Sequence, residues 1–388
     1  MSLSFTPQER KSSLLLAVLF STRMLGLFLL TPIFAVAAQS LAGGNDAVKV
    51  GIALGAYGLT QAVMQIPLGM ASDKFGRKPV IIAGMVLFII GGVVSALSSS
   101  VEGVIVGRVI QGLGAISAAI TAWVADATRP EVRTRAMAMV GSAIGLSFAV
   151  SLILSPVVVG QFGLSGLFWA ISLLGFVCLL LAAFAIPEYP RAESIIQVKA
   201  RDVLKQTELL RLNFGVFALH FILMTLFVVL PGVLAEVGGL GASQLWQVYL
   251  PVIVLSFGFM VPAVIYTEKR KVHRKVLSAL VLCLVVVLLL MPFFKATLWG
   301  LVLFLLLFFC IFNTLEALQP SLVSRIAPPE SKGLAMGFFN TTQSLGVFGG
   351  GLAGGIVAAS AGVQWVLWLG AALALLWWLS TRRFQAKL

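Results

Sequence analysis

Four ionisable side chains stand inside long apolar runs: Arg23, Arg108, His220 and Glu316. A charge in such a run is costly to bury and marks a path for ions, protons or substrate, or else a fixed internal pair. Glu316 carries the most chemistry. Asn313, Gln319 and Pro320 lie at −3, +3 and +4 from it, so one helix face presents Asn, Glu and Gln. Lipid does not tolerate that face, which points it at a cavity. Burial favours the neutral form of a carboxyl, while a nearby arginine or an open water path favours the anion. An acid whose surroundings alternate between these conditions couples proton flow to transport. The alternative is a structural acid held permanently by Arg23. His220 carries the side chain that changes charge near neutral pH. It is either a second proton carrier or a neutral hydrogen-bonding core residue. Arg108 does not readily lose its proton. With Gln111 and Gly112 at +3 and +4 it forms an inward polar stripe.

These residues need a frame, and the composition says which. The chain has 388 residues, of which 60% are hydrophobic and only 11% charged, with a mean hydropathy of +1.05. A soluble domain of this size cannot hide so much apolar surface. Runs of about 20 apolar residues, each long enough to cross a bilayer as a helix, recur along the whole chain. Twelve are expected, at roughly 12–38, 48–71, 79–99, 101–127, 135–160, 164–187, 211–237, 243–267, 275–294, 297–324, 333–359 and 363–381. The first resembles a leader ending at Ala35-Val36-Ala37, but it is too long and carries Arg23 at its centre, so it reads as a retained helix.

The net charge of +13 raises the question of nucleic acid. Its distribution answers it. With the N-terminus in the cytoplasm, 23 of the 27 Lys and Arg fall in the cytoplasmic segments, while Lys49 and Lys295 fall outside and Arg23 and Arg108 within spans. That asymmetry follows the positive-inside rule. It predicts a multi-pass protein with both termini cytoplasmic and argues against nucleic acid as partner. Cys178, Cys283 and Cys310 all lie in apolar spans and form neither a disulfide framework nor a metal pattern.

Shifting the sequence by 199 residues aligns Leu27-Phe28 with Leu226-Phe227, Pro32 with Pro231, Pro130-Glu131 with Pro329-Glu330 and Ala136-Met137 with Ala335-Met336. The expected architecture is an all-α membrane protein of two six-helix halves in parallel repeat, residues 1–187 and 211–388, with a substrate site between them near the midplane. The polar stretch 188–210 is the cytoplasmic linker, and its Ile195-Ile196-Val198-Val203-Leu204 pattern suggests a short interfacial helix. The glycines at 346, 350 and 354 line one face for close helix packing.

Between spans two and three sits a polar island, Gly69-x-x-x-Asp73-Lys74-x-Gly76-Arg77-Lys78. It resembles the signature loop of the major facilitator superfamily. Arg108, followed by Gln111-Gly112-Leu113-Gly114, resembles the superfamily's fourth-helix motif, and Asp126, Arg133 and Arg135 follow as in the family. The resemblance covers the chain and is strongest to the drug:proton antiporter-like members, in particular the YajR-like group, which carry an Arg in span one, a His in span seven and a Glu in span ten. That group has a soluble C-terminal domain; this sequence stops seven residues after the expected last span, so no such domain is expected. The fifth span departs from the exporter pattern: Ser155-Pro156-Val157-Val158-Val159-Gly160 stands where many exporters have Gly-Pro and then Gly-Gly, although Gly141 and Gly145 remain.

The resemblance implies a conformational latch made of Gly69, Asp73, Gly76, Arg77, Asp126 and Arg133. Asp73 would sit at the inner end of span eleven, where a helix N-terminus carries partial positive charge, and Arg77 would pair with Asp126. Lys74 and Lys78 read better as solvated anchors on the inner side. The second half has Glu268-Lys269-Arg270-Lys271 without the Asp-x-x-Gly-Arg core, so the latch is expected on one side only. Resemblance also gives Arg108 a part in proton transfer; a structural hydrogen-bonding role is the alternative.

The reading is a secondary transporter of the bacterial inner membrane working by alternating access, with proton-coupled efflux as the leading mode. Glu316, His220, Arg23 and Arg108 are the expected coupling residues. Phe28, Tyr57, Gln61, Gln65, Gln111, Tyr249, Asn313, Asn340 and Gln343 are the expected cavity lining. Few fixed charges among aromatic groups suit an amphipathic or aromatic small molecule. A facilitator or importer of a sugar-like solute, or a non-transporting sensor of the same fold, are the rival readings. Neither an enzyme activity, a cofactor nor a metal is expected, and the chain is expected to act as a monomer in the lipid bilayer, with protons and a small-molecule substrate as its partners.

Overall fold

The computed structural model describes residues 4–189, 203, 205–328 and 331–382. The apolar runs fold as helices whose ends are set by local chemistry. Thr6 and Glu9 form a capping box at the start of α1 (Pro7–Phe28). Asp46 accepts from the first N–H groups of α2 (Ala47–Phe75), and Ser100 accepts from Gly103 N–H in the helix that begins at Val101. The remaining spans are α3 (Arg77–Leu97), α4 (Val101–Leu113 and Ser117–Asp126), α5 (130–162), α6 (164–180), α7 (Thr207–Gly238), α8 (Trp246–Arg270), α9 (His273–Phe294), α10 (Leu298–Ile326), α11 (Lys332–Ala361) and α12 (Val363–Arg382). Helical hydrogen bonding runs from Pro130 to Leu180, but Gly163 has φ 67° and ψ −174° and divides the stretch into two spans. Among the described residues, length and composition give eleven spanning stretches if it is left whole, and twelve once it is divided.

Two spans differ from the sequence expectation in a useful way. The first run, 12–38, is not one helix. α1 ends at Phe28, and after a turn through Pro32 a short helix Phe34–Ala37 follows. Proline has no N–H to continue the ladder. The fourth is broken at Gly114–Ile116, in the middle of the bundle. Of the expected linker, Ile195, Ile196, Val198 and Leu204 lie outside the described residues, while Val203 is buried.

One end of the bundle carries the basic turns around residues 73–78, 127–135 and 269–275, together with the start of α11; it is called here the basic face. The two halves pack tightly at the other end. A Cβ on Gly51 would lie 2.1 Å from the Gly351 carbonyl oxygen, and one on Gly355 would lie 2.4 Å from that of Ala47, so α2 and α11 touch backbone to backbone. The glycine stripe of α11 faces its other neighbour: Gly346, Gly350 and Gly354 sit against Phe217, Phe221 and Thr225 of α7. Toward the basic face the contact ends, and a Cβ on Gly333 or Gly337 would meet nothing within 4 Å. The bundle is therefore closed at the face opposite the basic one. Large apolar side chains such as Leu255, Phe293 and Trp299 are exposed on the outer surface, as lipid-facing positions require.

Candidate functional site

Each half carries its own polar cluster at mid-bundle. In the first half the centre is Tyr57 on α2, only 1% exposed. Arg23 of α1 donates to the Tyr57 hydroxyl and, at 2.9 Å, to Ser117 Oγ, at the start of the second α4 segment. Arg108 lies over the same ring, its guanidinium carbon 4.9 Å from the ring centre, and donates to Gln111 Oε1 at 3.1 Å. This is a cation–π arrangement with a polar handle. Gln61 and Gln65 continue down α2 from Tyr57, both buried, and neither amide atom of Gln65 has a partner among the described residues.

The second cluster joins α7, α10 and α11. His220 Nδ1 lies 3.1 Å from the Val216 carbonyl, which only accepts, so Nδ1 carries the ring proton. In the neutral ring Nε2 is then an acceptor, and Gln343 Nε2 donates to it at 2.7 Å. Gln343 Nε2 also reaches Glu316 Oε1 at 3.4 Å, and Glu316 Oε2 is 3.6 Å from His220 Nε2. A proton arriving at Nε2 would find Glu316 beside it. The Glu316 side chain is 29% exposed while His220 is nearly closed off, so the acid is the member of the pair that reaches open space. Asn313, one turn away on α10, donates to Ser256 of α8 at 3.0 Å, and Asn340 is half-buried on α11.

Arg23 is bonded to Tyr57 and Ser117, and Glu316 to His220 and Gln343; the structure does not join Arg23 to Glu316. Of the four intramembrane charges, it brings together His220 and Glu316 in one half and Arg23 and Arg108 in the other.

Aromatic side chains fill the space between the clusters and the closed face. Phe148 of α5 meets Phe28 edge-on at 5.3 Å and lies 5.9–6.3 Å from Phe227, Phe309 and Phe312 of the second half. Tyr249 of α8 donates to the Pro32 carbonyl at 3.3 Å, a hydrogen bond between the halves. Sequence reasoning found Phe28 and Tyr249 but missed Phe148. Its signal, an aromatic residue in a span otherwise rich in Gly, Ala and Ser, does not stand out among 27 phenylalanines.

On the basic face Arg77 Nε donates to Asp126 at 2.8 Å, and its Nη1 donates to Ser72 at 2.8 Å and to Asp73. Gly76 joins α2 to α3 with φ 105°, a conformation that a side chain resists. Gly69 packs toward Ala118 of α4, and Arg133 donates to the Ala125 and Thr128 carbonyls, capping the end of α4. Asp73 is 67% exposed, against 3% for Asp126. In this state the Asp73–Arg77–Asp126 group ties together α2, α3 and α4 of the first half. The second half has a counterpart that its sequence hid: Arg325, at the end of α10, donates to Glu268 at the end of α8. Nearby, Arg129 is held by Glu9, whose carboxylate raises the guanidinium above its ordinary value.

Comparison with known proteins agrees with this architecture. A model of the Major Facilitator Superfamily matches residues 16–351 and again 273–386. The inner membrane transport protein YajR of Escherichia coli (strain K12) is 41% identical over 377 residues, spanning 96% of this chain and 83% of that protein. The multidrug resistance protein MdtH of Aeromonas salmonicida (strain A449) is 26% identical over 358 residues, 89% of this chain and 88% of that one. Among solved structures, a D-xylose–proton symporter superposes with a TM-score of 0.75 at 16% identity, covering 96% of this chain and 98% of the other. With two six-helix halves, polar clusters at mid-bundle and a family match over most of its length, the chain belongs to the major facilitator superfamily.

Proposed function

We propose that the chain is a secondary active transporter that exports an amphipathic or aromatic small molecule in exchange for protons. The observation that carries this reading is the His220–Gln343–Glu316 cluster. It offers two proton-accepting groups 3.6 Å apart, one sealed and one partly open, at mid-bundle. A proton held there is released or retained according to which face is open, which is the requirement for coupling. The aromatic cluster around Phe148 supports an apolar solute. The basic turns support a cytoplasmic placement of that face and of both termini, in a bacterial inner membrane. With that placement the state described above is inward-facing. The Asp73–Arg77–Asp126 group then serves as the latch of the outward-facing state, and the protein works as a monomer.

The test is proton flux in proteoliposomes that hold a pH-sensitive dye. Fluorescent aromatic solutes are loaded inside or outside, with no imposed pH difference. Solute moving down its gradient should drive protons the other way. Solute movement without a pH change would identify a facilitator, and neither movement would identify a sensor; either result overturns proton-coupled export.

A further inference from the structure

The first half buries two guanidinium groups with no carboxylate beside them among the described residues. Arg23 is fully buried and Arg108 is 3% exposed, and neither pairs with a carboxylate among the described residues. Arginine does not shed its proton to escape burial. No carboxylate among the described residues offsets the charge of the two guanidinium groups. Its donors are also incompletely used. Arg23 Nε, Arg108 Nε and Gln111 Nε2 are buried without a partner among the described residues. α4 is broken at this level, and its second segment, Ser117–Asp126, begins where Arg23 bonds to Ser117. A helix start leaves N–H groups without intrahelical acceptors and carries partial positive charge. Every element of the cluster lacks the same thing, an anion.

From these features we infer that Arg23, Arg108, Gln111 and the start of the second α4 segment form a subsite for a single carboxylate carried by the transported solute. This rests on the transporter reading and narrows its substrate class to aromatic monoacids. Phe28 lies five residues beyond Arg23 on α1, about 7.5 Å along the helix axis, and touches the aromatic cluster around Phe148. A carboxylate on a fused aromatic body, whose far edge lies about that distance from the acid oxygens, satisfies both. The guanidinium groups are sealed from solvent in the state described here, so binding requires α1 or the α4 break to shift.

Thermal unfolding of the purified full-length protein, in a buffer free of chloride and carboxylates, reads occupancy because a ligand of the native state raises apparent stability. The probes are 2-naphthoate, the matching naphthylmethylamine and chloride. The acid should stabilise in a concentration-dependent way and the amine and chloride should not. Arg23→Gln and Arg108→Gln should each weaken naphthoate binding by about tenfold or more, since each loses a charge-assisted bond. Should these variants fail to fold, the acid–amine comparison on the unaltered protein still decides. Stabilisation by the amine, stabilisation by neither aromatic probe, or chloride matching the acid overturns the subsite. Proton-coupled movement of a cationic or neutral solute with no response to the acid would keep the transporter and remove the subsite. Naphthoate binding without proton coupling would do the reverse.

Discussion

Asp126 and Arg325 stand 199 residues apart, at the same place in the two halves, with opposite charges. Asp126 closes α4 and accepts from Arg77; Arg325 closes α10 and donates to Glu268. The two halves thus build analogous joints with the charges reversed: the end of the fourth helix is tied to the start of the third through Arg77 in one half, and to the end of the second through Glu268 in the other.

The members of the first joint should differ in weight. Asp73 is 67% exposed, and its pair with Arg77 belongs to the class of surface ion pairs that contribute about 0–1 kcal/mol. The Arg77–Asp126 bond is largely shielded, and a charge-assisted hydrogen bond of that kind contributes about 1.5–3 kcal/mol. Arg77→Ala should therefore lower thermal stability more than Asp73→Asn. Both should reduce transport if the group also serves the outward-facing state, with spin-label distances between residues 72–78 and 331–335 shifting to longer values. Unchanged distances together with unchanged transport would leave the loop a solvated anchor.

Span positions were legible in the sequence because an apolar run of bilayer length has one stable solution in lipid. Gly163 marks the division of α5 from α6, and the sequence boundary at 160–164 agrees with it. The repeat offset was legible too, and it places Asp126 opposite Arg325. What a single sequence does not carry is the partner choice of a buried charge. Arg23 and Glu316 are both mid-span and of opposite sign, so pairing them is the simplest guess; the helix packing instead sets Arg23 beside Tyr57. The Glu268–Arg325 joint was hidden for a related reason: its residues lie 57 positions apart and match no loop pattern.

Glu316 and His220 share one Gln343 contact, and that arrangement sets an order of effects. Glu316→Gln keeps the shape and removes the titrating group, so pH-driven efflux should be lost while downhill exchange continues. Glu316→Asp should retain partial coupling on its shorter stem. His220→Gln should alter the pH profile of transport rather than abolish it, because the acid remains. Vesicles of the Glu316→Gln variant that still move solute uphill on a pH difference alone would shift the coupling role to His220.

The backbone contact between α2 and α11 leaves no room for a side chain. A Cβ at Gly51 would lie 2.1 Å from a carbonyl oxygen, closer than any real contact, and overpacking of this kind costs about 1–3 kcal/mol. Gly51→Val should therefore disfavour closure at that end and shift the population toward the opposite opening. A cysteine at Ser344, which packs against Gly58 in the closed state, should become faster to label from the face opposite the basic one. Labelling as slow as in the Gly51 parent would show that the helices slide to accommodate the change.

Phe148 offers the sharpest test of the closed face. Its ring touches Phe28 of its own half and three phenylalanines of the other, at 5.3–6.3 Å. Such edge-on and tilted pairs each contribute about 0.5–1.5 kcal/mol beyond simple burial. Truncating a buried phenylalanine costs about 3–5 kcal/mol in total. Part of that loss falls on contacts that exist only while the halves are closed at this end. Phe148→Ala should consequently destabilise the closed state more than the open one, which moves the conformational equilibrium as well as the melting temperature. Phe148→Leu fills most of the volume but lacks the ring faces, so it should recover much of the stability and little of the closure. The measurement is a distance distribution between labels at the ends of α1 and α7 opposite the basic face, taken for all three proteins. Longer distances in both variants, with stability restored only in Phe148→Leu, are expected. Equal distances in all three would reduce Phe148 to ordinary packing and leave the glycine contact of α2 with α11 as the element that holds this face shut.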